Sequence, residues 1–189
     1  DGIRDSWASR GLGDVYKRQM LYYRTTRKLI NFGPVILLYY LSISEIDTYF
    51  ENFFEILSFN IQLIIVYFWS LKRPEVIGNG NIFFAGLIND TVMGTPLGLS
   101  SLSYLVVSLV ATYVKNMTVN TSITTDWFTF FIAICFSNLT ILLFLNSFSI
   151  LSVSFIEISY NTFFSLIFYP FFWLFFNFYN TMITMGKNV

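Results

Sequence analysis

Asp90 is the only acid inside its apolar stretch, and its side chain offers the most chemistry. The segment from Pro74 to Gly98 reads PEVIGNGNIFFAGLINDTVMGTPLG. Gly86, Asp90 and Gly94 recur at four-residue spacing, which puts them on one face of a helix. An ionisable group at membrane depth costs at least about 2.5 kcal/mol at a helix centre and marks a functional position by default. Three roles are open to Asp90. The simplest is capping or snorkelling near a helix end. Small residues at this spacing let two membrane helices approach closely, so packing specificity or a partner contact is the second. The third, a proton relay, has no second intramembrane acid or histidine to take the proton. The hydroxyls of Ser100, Ser101 and Ser103 and the amide of Asn138 are the candidate partners within the chain.

Other chemistry is thinly supplied. The chain has no histidine and one cysteine, Cys135. That removes His-based triads, HExxH zinc sites, cysteine clusters and an intramolecular disulfide. Cys135 lies in the run FFIAICF, where apolar burial keeps a thiol inert. GNG at Gly78 to Gly80 lacks the Lys-Ser/Thr of a phosphate loop. Glu55 stands at a span start, where a helix N-terminus favours negative charge. Asn177 and Asn180 suit interhelical hydrogen bonds, worth about 0.6–2 kcal/mol in a membrane. Lys72-Arg73-Pro74-Glu75 reads as a tight turn that marks topology and ends a helix; docking of a cytoplasmic partner is the alternative. No catalytic residue, metal, cofactor or nucleic-acid partner is expected.

The elements that must position these residues are membrane helices. The 189 residues are 55% hydrophobic, 21% aromatic and 12% charged, against about 25% charged in a soluble domain. Mean hydropathy is +0.62. A spanning helix needs about 20 mostly apolar residues, and six such stretches fall at about 29–45, 53–71, 76–93, 97–114, 127–145 and 163–182. The expected fold is an all-α bundle of about six transmembrane helices. Pro34 and Pro170 are tolerable inside spans, where neighbours can satisfy the freed carbonyl. The longest loops expected are about 44–52, 115–126 and 146–161. With six spans, Arg24, Arg27, Lys28, Lys72, Arg73, Lys115 and Lys187 share one side. Glu45, Asp47, Glu51 and Glu157 share the other, so the positive-inside rule puts both termini in the cytoplasm.

The first nineteen residues, DGIRDSWASRGLGDVYKRQ, are polar and have no apolar core of a signal peptide. They are read as a non-native or disordered extension ahead of Met20, with 20–189 as one transmembrane domain.

The block from Tyr67, YFWSLKRPEVIGNGNIFFAGLINDTVMGTPLGLSSLSYLVVS, resembles the rod shape-determining protein MreD family. That pattern has an aromatic span end, a proline turn, a Gly-rich helix start, a Gly-Leu-x-x-Asp helix and a Gly-x-x-Leu-Gly link. Here its elements are Trp69, Pro74, Gly78, Gly86-Leu87, Asp90, Gly94 and Leu97-Gly98, with Pro96 in the break. Phe168-Tyr169-Pro170 is similar to the family's late aromatic-proline span. The resemblance implies a non-enzymatic, multi-pass subunit of the cell-elongation machinery in the bacterial inner membrane. Implied partners are an MreC-like protein, RodA, a class-B penicillin-binding transpeptidase, the MreB filament indirectly, and membrane lipid. It also implies similarity in fold to the substrate-binding subunits of energy-coupling-factor transporters, so binding of a vitamin-like small molecule is the alternative function.

Overall fold

A computed structural model describes residues 31–44, 60–118, 122–148 and 155–185. The chain divides into Asp1–Gly33 and Pro34–Val189. The first unit is described only from Asn31, and the second carries the architecture. Seven helices are seen among the described residues: α1 (Asn31–Ile43), α2 (Ile61–Lys72), α3 (Pro74–Ile77), α4 (Asn79–Met93), α5 (Leu99–Met117), α6 (Ile123–Phe148) and α7 (Phe155–Met185).

Local chemistry explains most of the boundaries. Asn60 caps α2 by accepting from the Leu63 N–H at 3.1 Å, as an N-cap Asn should. Lys72 occupies the last turn of α2, where the helix dipole favours a cation. Pro74 opens α3 at its first position, a place where its missing N–H costs nothing. Gly78 separates α3 from α4 at φ 60, ψ 136, a backbone conformation effectively reserved for glycine. The span expected at 76–93 is therefore broken near its start.

Helix α2 is buried on all sides from Leu63 to Leu71, as befits a helix that is apolar all round. α5 packs against α2, α4 and α6, while α7 lies along α6 and α2. Val35, Leu38 and Leu41 of α1 join the same core.

The two longest helices are the least covered. Ile123–Asn146 and Ile158–Thr184 are apolar enough to cross a membrane, at about 36 and 40 Å long given 1.5 Å per residue. Only 28% and 17% of their most apolar stretches are buried. Phe128, Phe131, Phe136, Leu139 and Leu143 on α6 face outward, as do Phe163, Ile167, Phe171, Leu174 and Phe178 on α7. An apolar surface of this extent marks contact with lipid or protein.

Several expectations change. α6 starts at Ile123, and α7 starts at Phe155, eight residues before the expected 163. Residues 155–162 hold no Gly or Pro to stop a helix, so the expected 146–161 loop is much shorter. Cys135 is exposed, not buried, because α6 turns that face away from the bundle. Residues 1–30, 45–59 and 186–189 lie outside the described residues, and with them the N-terminal extension, Glu55 and most of the charges used for topology.

Cys135 gives a direct test of what covers α6. In vesicles this sole thiol should resist a water-soluble maleimide and react fully once SDS dissolves the bilayer. Prompt labelling in intact vesicles would take this face of α6 out of the lipid.

Candidate helix-packing site

Asp90 lies one turn before the end of α4, fully buried. Its carboxylate accepts three hydrogen bonds, all from the connection into α5. Oδ2 takes the Gly98 N–H at 2.8 Å, and Oδ1 takes the Ser100 N–H at 2.9 Å and the Thr95 hydroxyl at 3.0 Å. Gly98 is the N-cap of α5 and has no side chain to cap with. Asp90 supplies from α4 what an N-cap side chain would supply locally, with its negative charge at the positive end of the α5 dipole.

The main chain of Asp90 holds the other side of the same turn. Its carbonyl accepts from the N–H groups of Gly94 and, at 3.1 Å, Thr95, with Gly94 left-handed at φ 65. This is a Schellman-type helix end. Leu99 N–H donates to the Pro96 carbonyl at 3.1 Å, and Gly98 stands at φ 98. Gly94 and Gly98 are required here by their positive φ.

Beneath this brace α4 and α5 nearly touch. A Cβ on Gly86 would lie 2.4 Å from the Ser101 Cα and 2.5 Å from its nitrogen. The Ser101 hydroxyl crosses the contact to the Phe83 carbonyl at 3.1 Å. Asn89 donates to the Ser100 hydroxyl at 3.1 Å and accepts from Gln62 Nε2 at 2.9 Å. Gln62 also donates to the Leu41 carbonyl at 3.0 Å and accepts from the Tyr104 hydroxyl at 2.9 Å. This network ties α1, α2, α4 and α5 together.

A second cluster gathers at the opposite end of α2. Lys72 Nζ lies 3.1 Å from Asp126 Oδ2, and Trp173 Nε1 donates to the same oxygen at 2.8 Å. Lys72 also stands 5.9 Å from the Trp173 ring centroid, within range of a cation–π contact. Asp126 is in the first turn of α6, so the pair complements the dipoles of both helices it joins. Next to it, Trp127 Nε1 donates to the Leu166 carbonyl at 3.0 Å. Pro170 inside α7 has no N–H to give that carbonyl, and the indole replaces it. Tyr169 stacks on Phe130 at 4.4 Å.

The predicted residues fall mostly into the first site. Gly86, Asp90, Gly94, Pro96 and Gly98 meet at the α4–α5 turn. Pro74 and Gly78 bound α3 at the other end. Trp69 is buried on α2 against Phe68, Phe176 and Tyr179. Asp90 bonds to none of the side chains expected for it, because the backbone N–H groups of the turn are closer. Ser103 pairs with Ser137, and Asn138 donates to Thr162 at 2.6 Å. The sequence reading left out Gln62, Tyr104 and Asp126. The acid just before the apolar run of α6 was a signal for Asp126.

The sequence that carries this hairpin has a counterpart among known families. Residues 26–179 match the family of rod shape-determining protein MreD. The chain belongs to the MreD family. No curated protein and no solved structure matches the chain. Membership makes it a membrane protein of the cell-shape machinery, and the apolar helices fit that setting.

Two substitutions measure the α4–α5 hairpin. Gly86→Ala must push the α4 and α5 backbones apart and should lower Tm by about 2–12 °C, from the usual 1–3 kcal/mol of overpacking at 2–4 °C per kcal/mol. A Tm within 1 °C of the parent would mean the hairpin is looser than described. Asp90→Asn keeps the shape but turns one acceptor into a donor facing backbone N–H groups. It should lower Tm more than Thr91→Asn on the exposed side of the same helix, measured by thermal shift in detergent.

Proposed function

We propose that this protein is a non-enzymatic subunit of the bacterial cell-elongation machinery, seated in the inner membrane with about six spans and both termini in the cytoplasm. It supports lateral peptidoglycan synthesis by packing against an MreC-like protein, RodA and a class-B penicillin-binding transpeptidase, with the MreB filament reached indirectly. The family match over residues 26–179 carries this reading.

Two observations support it. Lys72 and Lys115 lie at the same end of the bundle, each facing a carboxylate, with Lys115 4.0 Å from Glu75. Clustered basic residues at one end are what the positive-inside rule requires of a cytoplasmic face. The outward apolar stripes of α6 and α7 offer surface for partner helices as well as lipid. Gly86, Asp90, Gly94, Pro96 and Gly98 of the family pattern act through shape: they fix the α4–α5 hairpin whose outer surface a partner would meet.

The vitamin-binding alternative drew on similarity of fold alone. No solved structure matches, and Gln62, Asn89 and Tyr104 spend their polar groups on one another. It gains no support.

The test is assembly. An affinity-tagged chain extracted gently from membranes should bring down an MreC-like protein, and its depletion should round the cells. Asp90→Leu should reach the membrane at parental levels, since losing an in-membrane charge eases insertion, yet recover several-fold less partner. Full partner recovery and normal rods with Asp90→Leu would reduce the brace to a matter of local stability.

A further inference from the structure

The α4–α5 turn carries no mark of a membrane surface. Thr91 to Ser100 reads TVMGTPLGLS, without a charge and without the Trp, Tyr, Lys or Arg that anchor helix ends at an interface. Leu97 at its tip is 67% exposed and Met93 37%. Its polar groups turn inward. The N–H groups of Gly94, Thr95, Gly98, Leu99 and Ser100 all have acceptors within the turn, and Asp90 holds the Thr95 hydroxyl. Non-helical backbone is tolerated at membrane depth only where the protein itself satisfies it.

Hydrogen bonds between helices give the level of this turn by two routes. At the inner end, Ser70 donates to Ser108 at 3.0 Å, Ser108 donates to Asn79 at 3.2 Å, and Lys72 pairs with Asp126. Ser70 and Lys72 share the last turn of α2, so α4 and α6 start near one level. From there α6 rises about 28 Å from Trp127 to Asn146, whereas α4 rises about 21 Å from Asn79 to Met93. A hydrocarbon core is about 30 Å thick, which α6 fits and α4 does not.

The second route starts at the other end of α2. Gln62 donates to Asn89 at 2.9 Å, and the Asn60 N–H donates to the Ser165 hydroxyl at 3.0 Å. Beyond these rungs α4 rises about 6 Å more, to Met93, whereas α7 rises about 15 Å more, to Phe155. The hairpin tip thus stops about 7 Å short of the outer end of α6 and about 9 Å short of that of α7.

We propose that the α4–α5 turn lies below the outer membrane surface, with Met93 and Leu97 against the acyl chains of the outer leaflet. The inference rests on the membrane placement above, with the Lys72 and Lys115 end inside. The bilayer supplies acyl chains to any apolar surface at that depth, so lipid is the occupant that needs no further component. Asp90 then has a reason to reach across the turn: no water is at hand there for the Gly98 and Ser100 N–H groups.

The experiment uses the full chain in phospholipid vesicles, with a nitroxide spin label on one cysteine at a time. Labels go on native Cys135, and on Leu97→Cys and Asn146→Cys in a Cys135→Ala background. Power saturation compares collisions with oxygen, which concentrates in hydrocarbon, and with a water-soluble nickel chelate. Leu97 is mostly exposed, so a label there disturbs little packing. The Leu97→Cys label should meet oxygen several-fold more than nickel, as Cys135 does, while the Asn146→Cys label should meet nickel. Nickel contact at Leu97→Cys with Cys135 still protected overturns the inference and leaves the membrane placement standing. So does an Asn146→Cys label as deep as the Leu97→Cys label. A Leu97→Cys label that neither reagent reaches also overturns it, because protein then covers the tip. Nickel contact at Cys135 overturns the membrane placement itself, and this inference with it.

Discussion

A carboxylate that caps a helix other than its own holds this bundle in register. α5 begins on a glycine, which has no side chain to accept from the Gly98 and Ser100 N–H groups, and in an apolar surrounding unsatisfied backbone donors cost several kcal/mol. Asp90 removes that cost from across the turn. The two glycines allow the chain to reverse tightly enough for the carboxylate to reach. The reversal in turn sets the separation of α4 and α5, and Gly86 leaves nothing between them but backbone. Each feature makes the next one possible, so the hairpin is a single device rather than four independent residues.

From that hairpin the remaining helices are placed largely by hydroxyls on α5. Ser101 reaches α4, Ser103 reaches Ser137 on α6, Tyr104 reaches Gln62 on α2, and Ser108 accepts from Ser70 on α2 at 3.0 Å. Each such bond is worth about 0.6 kcal/mol on average between membrane helices, too little to hold a bundle alone. Their value lies in direction. Apolar contacts tolerate rotation of one helix against another, whereas these four hydroxyl contacts at fixed positions do not. The Lys72–Asp126 pair works differently: a buried ion pair adds little net stability, but losing one partner leaves an expensive charge behind. It locks α2 to α6 by making separation costly.

The sequence showed where helices form far better than how they meet. Apolar runs placed α4 and α5 within a few residues, and Gly94-Thr95-Pro96 marked the break between them. The glycine face around Asp90 was legible because helical spacing is a local property. The Lys72–Asp126 pair, the Gln62 hub and the Trp127 indole on the Leu166 carbonyl join residues far apart in the chain, and periodicity carries no record of such partners. Pro170 advertised a missing N–H without saying what would replace it. The early start of α7 was missed because polarity was read as a loop, although a helix needs only the absence of breakers to continue. Cys135 was taken as buried because its neighbours are apolar, which holds in a soluble protein and fails where the outside is apolar too.

That inversion bears on how a protein like this one recognises others. A ligand-binding bundle keeps unspent polar groups around an opening, since those groups orient the guest. Here Asp90 accepts three bonds, Gln62 uses both amide protons and its oxygen, and Asn89 both donates and accepts. That network has specified the packing of α1, α2, α4 and α5 and has little chemistry left for a guest. Selectivity then falls to the outward faces, where aromatic side chains on α6 and α7 present shape without polar instruction. Lipid is as apolar as a partner helix, so hydrophobicity alone cannot tell them apart there. What can is the fit between rigid surfaces, and a rigid surface is what a backbone-braced hairpin and a clasped α7 provide.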